Sequence, residues 1–236
     1  MFLNLQENAI FVADSHFNLK NDEFSIFLEQ LDSKEIETTQ LILMGDNFDF
    51  LSGESNYFIK QNKDLIDLLN KLSLKIQIVY LEGNHDYNLQ KLFPNIKVLK
   101  REEQPLFGRY KNKLIGLSHG DNFINWKYDL YCKIIRNTVL LKFLNMIDFS
   151  NFISKKIDSS LLKKNICHKI NNFDKLVEKR VKYYKSDIII EGHYHQGSTH
   201  IFGNKRYINM PSLCCDKEYI KLNNNEFRKE KMSLNK

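Results

Sequence analysis

Ile76-Gln77-Ile78-Val79-Tyr80-Leu81-Glu82-Gly83-Asn84-His85-Asp86 decides how this chain is read. A short apolar run rich in β-branched and aromatic residues reads as a buried strand. It stops at a glycine turn, with Asn84, His85 and Asp86 just past its carboxyl end. In open α/β sheets that rim is where ligands bind. Taken alone, Asn and Asp after Gly are also ordinary turn residues. Repetition separates the two readings, because four other segments place Asp or His at the ends of predicted strands.

Working outward, Ala9–Ala13 is an apolar run ending at Asp14-Ser15-His16. Residues i and i+2 of an extended segment point the same way, so Asp14 and His16 are expected to reach one point together. Phe24, Phe27, Leu28 and Leu31 predict an amphipathic helix around Asp22–Leu31. Gln40–Met44 reads as a second buried strand, followed by Gly45-Asp46-Asn47-Phe48-Asp49. Tyr57–Leu72 reads as one helix, then the strand Lys75–Leu81 leads into the opening motif. This alternation argues for parallel pairing through βαβ crossovers. Further strands are expected at Ile96–Leu99 and Lys113–Leu117, the second ending at Ser118-His119-Gly120-Asp121. From Phe123 to Lys185 there is no Gly or Pro, and helix-like spacing runs throughout, so residues 122–185 read as a helical cap inserted in a single domain spanning 1–236. The alternation resumes with Asp187–Ile190 and Gly192-His193-Tyr194-His195. Short antiparallel strands are expected from Ser198 to about Arg228.

Composition excludes several classes. Of 236 residues, 42% are hydrophobic and 27% charged, which are globular values. No apolar run approaches the roughly 18 residues of a spanning helix, and the N-terminus runs directly into a strand, so a cytoplasmic protein is expected. The four cysteines form no Cys-x-x-Cys pair, and the neighbours Cys214 and Cys215 make poor partners for each other, which fits a reducing compartment. The net charge of +6 is uneven: Asn122 to Lys185 holds 14 Lys plus Arg against 5 Asp plus Glu. A basic face toward nucleic acid, a membrane surface or a phosphorylated substrate follows.

Together the strand ends offer Asp14, His16, Asp46, Asn84, His85, His119, His193 and His195, and five of the seven histidines fall in these motifs. A lone histidine is usually structural; the clustering is what points to metal. Imidazole, carboxylate and amide oxygen without thiolate suit Mn, Fe or Zn. More than four ligands with one candidate bridging carboxylate point to two ions about 3.5–4 Å apart. Two cations would offset the charge of a phosphate ester, orient its phosphorus and lower the pKa of a bridging water, so that hydroxide attacks near neutral pH.

Asp-x-His, Gly-Asp-x-x-Asp, Gly-Asn-His-Asp, a lone His and Gly-His-x-His, in that order from Asp14 to His195, resemble the motifs of the calcineurin-like metallophosphoesterases. The resemblance implies a four-layer αββα sandwich of two mixed sheets flanked by helices. It implies that Asp14, His16 and His195 hold one ion, that Asn84, His119 and His193 hold the other, and that Asp46 bridges them, with Mn the expected metal and Fe or Zn the alternatives. His85 is then the candidate to protonate the leaving oxygen or steady the phosphoryl oxygens, with Asp49 holding its ring as in the family's second motif. Asp86 reads as a turn residue bonding backbone amides. For Asp121, support of a metal histidine and capping of the next helix are both open.

The insertion opening at Ser118-His119-Gly120-Asp121 is similar to that of the UDP-2,3-diacylglucosamine hydrolases of lipid A synthesis, which cleave a pyrophosphate to release UMP and a diacylated sugar phosphate. Val139 to Ile153 is apolar on more than one side, so it needs burial on several faces or an acyl chain to enclose. Arg136, with its capacity for bidentate phosphate contact, is the favoured substrate residue, beside Lys127 and Tyr128. The chain departs from that group in carrying His85 where better-known members have Arg, and Asn125-Trp126-Lys127 where acidic residues are expected. The expected partner is a lipid-linked UDP-sugar, with peripheral contact to an anionic membrane and no obligate protein partner. The competing readings are a phosphoesterase for a soluble nucleotide, cyclic nucleotide or nucleic acid, and a non-catalytic interaction module. Cap aromatics mixed with aliphatics, without a stacking platform, disfavour nucleic acid.

Overall fold

The computed structural model describes residues 2–233. The alternating strands pack as expected because every second side chain faces a different layer. In the first motif strand, Ile10–Val12, the side chains of Ile10 and Val12 join Leu41, Leu43, Ile78 and Tyr80 against helices Glu23–Asp32 and Lys63–Leu72. Phe11, with Ile42, Val79 and Leu81, faces the other way, onto Ile115, Leu117, Ile190 and Ile208 of a second sheet. The outer face of that second sheet packs Ile189 and Tyr207 on helix Phe173–Arg180. The result is the expected four layers.

Strands Ile10–Val12, Gln40–Leu43, Gln77–Leu81 and Lys97–Leu99 pair in parallel, and Glu218–Asn223 and Glu226–Lys231 extend that sheet antiparallel from Ile10–Val12. In the second sheet, Lys113–Ser118, Ile188–Glu191 and Lys205–Asn209 run parallel at the centre. The motif-bearing strands thus point their carboxyl ends to one rim.

The structure departs from the sequence reading at several places. Leu106–Tyr110, paired antiparallel with Lys113–Ser118, and the two-residue strand Leu3–Asn4 are additional. The single helix expected at Tyr57–Leu72 is two, Asn56–Gln61 and Lys63–Leu72, broken at Asn62, whose side-chain amide bonds back to the Phe58 carbonyl. The cap is not helical throughout. It comprises Trp126–Ile135, Thr138–Ile147, Phe152–Leu161 and Phe173–Arg180, with non-helical chain at 163–172. Asparagines punctuate it: Asn125 and Asn137 cap helix starts with their side chains, while Asn151 and Asn172 take left-handed conformations that asparagine tolerates. A long-range cysteine pairing is a further addition to the sequence reading. Cys167, in that non-helical stretch, is disulfide-bonded to Cys215, 48 residues on, because the fold returns both to the same rim. No helix among the described residues is long and apolar enough to cross a membrane.

Candidate metal centre

The rim is built from backbone that most side chains avoid. Asp14, His16, Asp46, His193 and His195 all have positive φ, between 42° and 65°. A non-glycine residue there costs roughly 1–2 kcal/mol, and such conformations persist where a functional arrangement over-determines them. The extended Asp14-x-His16 geometry expected from sequence is therefore not what forms. Strand pairing ends at Val12, and the turn that follows is tied to the second loop by Asp14 N–H to the Gly45 carbonyl, 3.1 Å, and His16 N–H to the Asp46 carbonyl, 3.0 Å. Glycine is needed beside the ligands for room: a Cβ on Gly83 would stand 2.2 Å from Asp46 Oδ1, and one on Gly45 2.5 Å from His119 Nδ1.

All seven expected ligands come together here. Asp14, His16 and His195 offer ligand atoms within 4.8 Å of one another, as do Asp46, His119 and His193. Asn84 Oδ1 lies 3.2 Å from His119 Nε2, and Asp46 Oδ2 lies 3.5 Å from the same nitrogen. His16, Asp46 and His85 form a third such group, so Asp46 stands between the two halves. Three imidazoles are aimed alike. His85, His119 and His195 each place Nδ1 on a backbone carbonyl (Asp49 at 2.6 Å, Met44 at 2.9 Å, Ile166 at 3.0 Å), so Nδ1 carries the proton and Nε2 is left for the centre.

The electrostatics fit a cation. Burial works against charge on His119, yet the Asp46 carboxylate lifts its pKa to about 10. Burial, then the neighbouring His119, pushes His193 down to about 4. Burial would raise Asp46, but the charges of His119 and His85 hold it well below the usual carboxylate range. Both ring nitrogens of buried His16 lack a hydrogen bond among the described residues, although Asp49 Oδ1 is 3.5 Å from Nδ1. An unpaired buried polar group is costly; a divalent ion accepting nitrogen and oxygen donors would satisfy it.

Supporting residues are partly those expected. Asp86 is a turn anchor: it accepts the amides of Asp46 (3.0 Å), Asn47 (2.7 Å) and Gly83 (2.8 Å) and the Tyr80 hydroxyl (2.6 Å). Asp86→Ala leaves these buried donors unmet, which predicts a loss of about 3 kcal/mol and a fall in melting temperature of roughly 10 °C for a chain of this size. Thermal unfolding in a chelator checks it, and an unchanged midpoint would refute the anchor. Asp49 holds His85 by its backbone carbonyl and not, as expected, by its carboxylate. That carboxylate accepts from Asn18 at 3.2 Å and faces His16. Asp121 neither caps a helix nor bonds His119; it accepts from Arg101 Nε at 2.9 Å.

None of the three expected substrate contacts lines the groove beside Asn84 and His85. Arg136 is buried, and its Nη2 donates to the Gly83 carbonyl at 2.7 Å, since the helix Trp126–Ile135 ends with that side chain turned into the rim. Exposed Lys127 lies over Trp126, half-buried Tyr128 packs under Arg101, and neither lines the groove beside Asn84 and His85. The lysine that does is Lys164. A larger cavity of about 530 Å³, between Glu7, Leu31, Thr38 and Leu72, contains none of these groups.

The calcineurin-like phosphoesterase family profile matches residues 8–197. The chain belongs to the calcineurin-like phosphoesterases. It is a metal-dependent phosphoester hydrolase, with divalent ions as the family's cofactors. This phosphoesterase is 27% identical over 212 residues to the UDP-2,3-diacylglucosamine hydrolase of Wigglesworthia glossinidia brevipalpis, covering 85% of this chain and 84% of that one. It is 26% identical over 206 residues to the enzyme of the same name from Vibrio atlanticus (strain LGP32), covering 81% and 82%. Among solved structures, YfcE, a phosphoesterase from E. coli, aligns at 13% identity with a TM-score of 0.49, covering 96% of this chain and 100% of that one.

Proposed function

We propose that the chain hydrolyses the pyrophosphate of a UDP-2,3-diacylglucosamine, giving UMP and 2,3-diacylglucosamine 1-phosphate, with two divalent ions, manganese foremost. The observation that carries this reading is a groove of about 360 Å³ that begins at Asn84 and His85 and runs between Tyr131, Ile134, Leu140, Leu141, Leu144 and Ile157. An apolar chain in it would lie beside the phosphorus. Helix Thr138–Ile147 contains no buried residue, so its apolar faces do not simply pack the cap on itself. The relatives named for this reaction support the assignment.

Asp14, His16 and His195 would hold one ion and Asn84, His119 and His193 the other, with Asp46 between. Two bound cations would neutralise phosphoryl charge and acidify water for attack on phosphorus. His85 lines the groove with Nδ1 spent on Asp49, leaving Nε2 to deliver a proton to the departing phosphate oxygen or to bond a phosphoryl oxygen. Lys164 supplies a cation at the groove. On the cap, Val139 (74%), Met146 (69%), Phe149 (81%) and Phe152 (70%) are exposed apolar side chains, and Lys142, Lys155 and Lys156 are exposed as well. Exposed apolar area of this kind marks an interaction face, which we read as resting on an anionic membrane where the lipid substrate resides.

The test is incubation with the diacylated UDP-sugar and detection of UMP. Each methylene removed from the acyl chains should weaken binding by about 0.8 kcal/mol, close to fourfold. His85, where the hydrolase group carries Arg, favours a second reading, cleavage of a soluble nucleotide or phosphodiester. No UMP alongside robust hydrolysis of soluble diesters would establish that reading instead.

A further inference from the structure

Arg136 caps the carboxyl end of helix Trp126–Ile135, the first of the cap, and it grips the metal-bearing turn from both sides. Its Nη2 donates to the carbonyl of Gly83, 2.7 Å away, and its own carbonyl accepts from Asn88 Nδ2 at 3.0 Å. Between Gly83 and Asn88 lie Asn84 and His85. The guanidinium stacks on Tyr87, 5.4 Å from the ring centre, and is 3.6 Å from Asp121 and 3.9 Å from Glu82 at its nearest nitrogens. Those two carboxylates offset the cost of burying the cation, while Nε and Nη1 make no hydrogen bond among the described residues.

The Gly83 carbonyl belongs to the rigid plane of the peptide joining Gly83 to Asn84. Fixing the direction of that oxygen fixes the direction in which Asn84 leaves the turn. We propose that Arg136 is a positioning residue that latches the helical cap onto the Gly83–Asn88 turn and thereby sets Asn84 against His119 and His85 against Asp46. The proposal deepens the dimetal reading above and rests on it. The site needs a guanidinium: it bonds the carbonyl through one nitrogen while its plane stays stacked on Tyr87 and close to two carboxylates, which a compact ammonium on a flexible stem does not reproduce. Movement of the cap when a substrate enters the groove would pass directly to the turn that carries Asn84 and His85.

Manganese titration by calorimetry, with hydrolysis of bis-p-nitrophenyl phosphate on the same preparations, tests the latch. Arg136→Gln is expected to keep one tight manganese and to weaken the second by about 10–100-fold, the usual effect of losing a group that orients a ligand. Its kcat should fall by a similar factor with KM within about threefold of wild type, because a displaced turn and not a lost substrate contact causes the change. Arg136→Lys, able to make the one bond to Gly83, should recover part of both. Asn88→Ala removes the other arm of the latch while leaving the buried cation in place; it should move both readouts the same way by a smaller factor, and so keeps the test decisive if Arg136→Gln does not fold. Two wild-type manganese affinities in Arg136→Gln, or in Asn88→Ala if only that variant folds, would overturn the latch and leave the dimetal reading standing. A raised KM with intact kcat would overturn it in favour of a substrate contact. No manganese binding by the wild type would overturn both.

Discussion

Asp46→Ala is expected to abolish manganese-dependent hydrolysis of an aryl phosphodiester, by about a thousandfold or more in kcat, equivalent to about 4 kcal/mol of transition-state stabilisation. The size of the effect follows from position. One oxygen of Asp46 stands 3.5 Å from His119 Nε2, the other accepts the His85 amide at 2.8 Å, and its carboxylate clusters with both His16 and His193. Removing it strips negative charge from both halves of the centre and frees the turn that carries Asn84. The loss should appear in metal affinity as well as in turnover, since the cations lose the one carboxylate they would share. Turnover within tenfold of wild type, in a variant that binds two ions, would show that Asp46 is not between them.

His85→Ala should behave differently. A positioned general acid contributes about 10²–10⁴-fold, so kcat should drop by that factor while manganese content and KM stay near wild type. His85 is half-buried at the mouth of the groove, with one ring nitrogen committed to the Asp49 carbonyl and the carboxylate of Asp49 3.9 Å away. That arrangement fixes the ring at the groove. It also leaves a competing role open to measurement, because His85 falls in one group of possible ligands with His16 and Asp46. Equal loss of metal and turnover would assign His85 to the metal and remove it as proton donor. The dependence of the defect on leaving-group pKa separates the roles further: an acid matters least where the leaving group is already weakly basic.

The parts of this protein legible in its sequence are those fixed by side-chain chemistry. Asp14, His16, Asp46, Asn84, His119, His193 and His195 announce themselves because few reasons other than metal gather so many imidazoles and carboxylates at strand ends, and the strands themselves follow from runs such as Ile76–Leu81. What is set by backbone path is not legible in the same way. Asp14 and His16 were expected to share a face of an extended segment, and they converge instead through left-handed turns tied to the Gly45–Asp46 loop. Asp49 acts on His85 through its carbonyl, an atom every residue possesses, so nothing in the identity of Asp49 distinguishes the two modes. The guanidinium of Arg136 suits phosphate, and it suits a carbonyl beside two carboxylates equally well; only the helix end decides which it meets. The pairing of Cys167 with Cys215 depends on how the cap returns to the rim, a property of the whole fold. The apolar run after Val139 is visible in the sequence, but its degree of burial depends on the neighbours of helix Thr138–Ile147, which leave none of its residues fully buried.

The central claim is a pair of cations held by seven convergent side chains, and titration of the metal-free protein with manganese, followed by electron paramagnetic resonance, tests it most directly. Two ions per chain with exchange-coupled spectra are predicted, as required for ions about 3.5–4 Å apart. A chain that binds no manganese, or binds two ions that are magnetically independent, would contradict it.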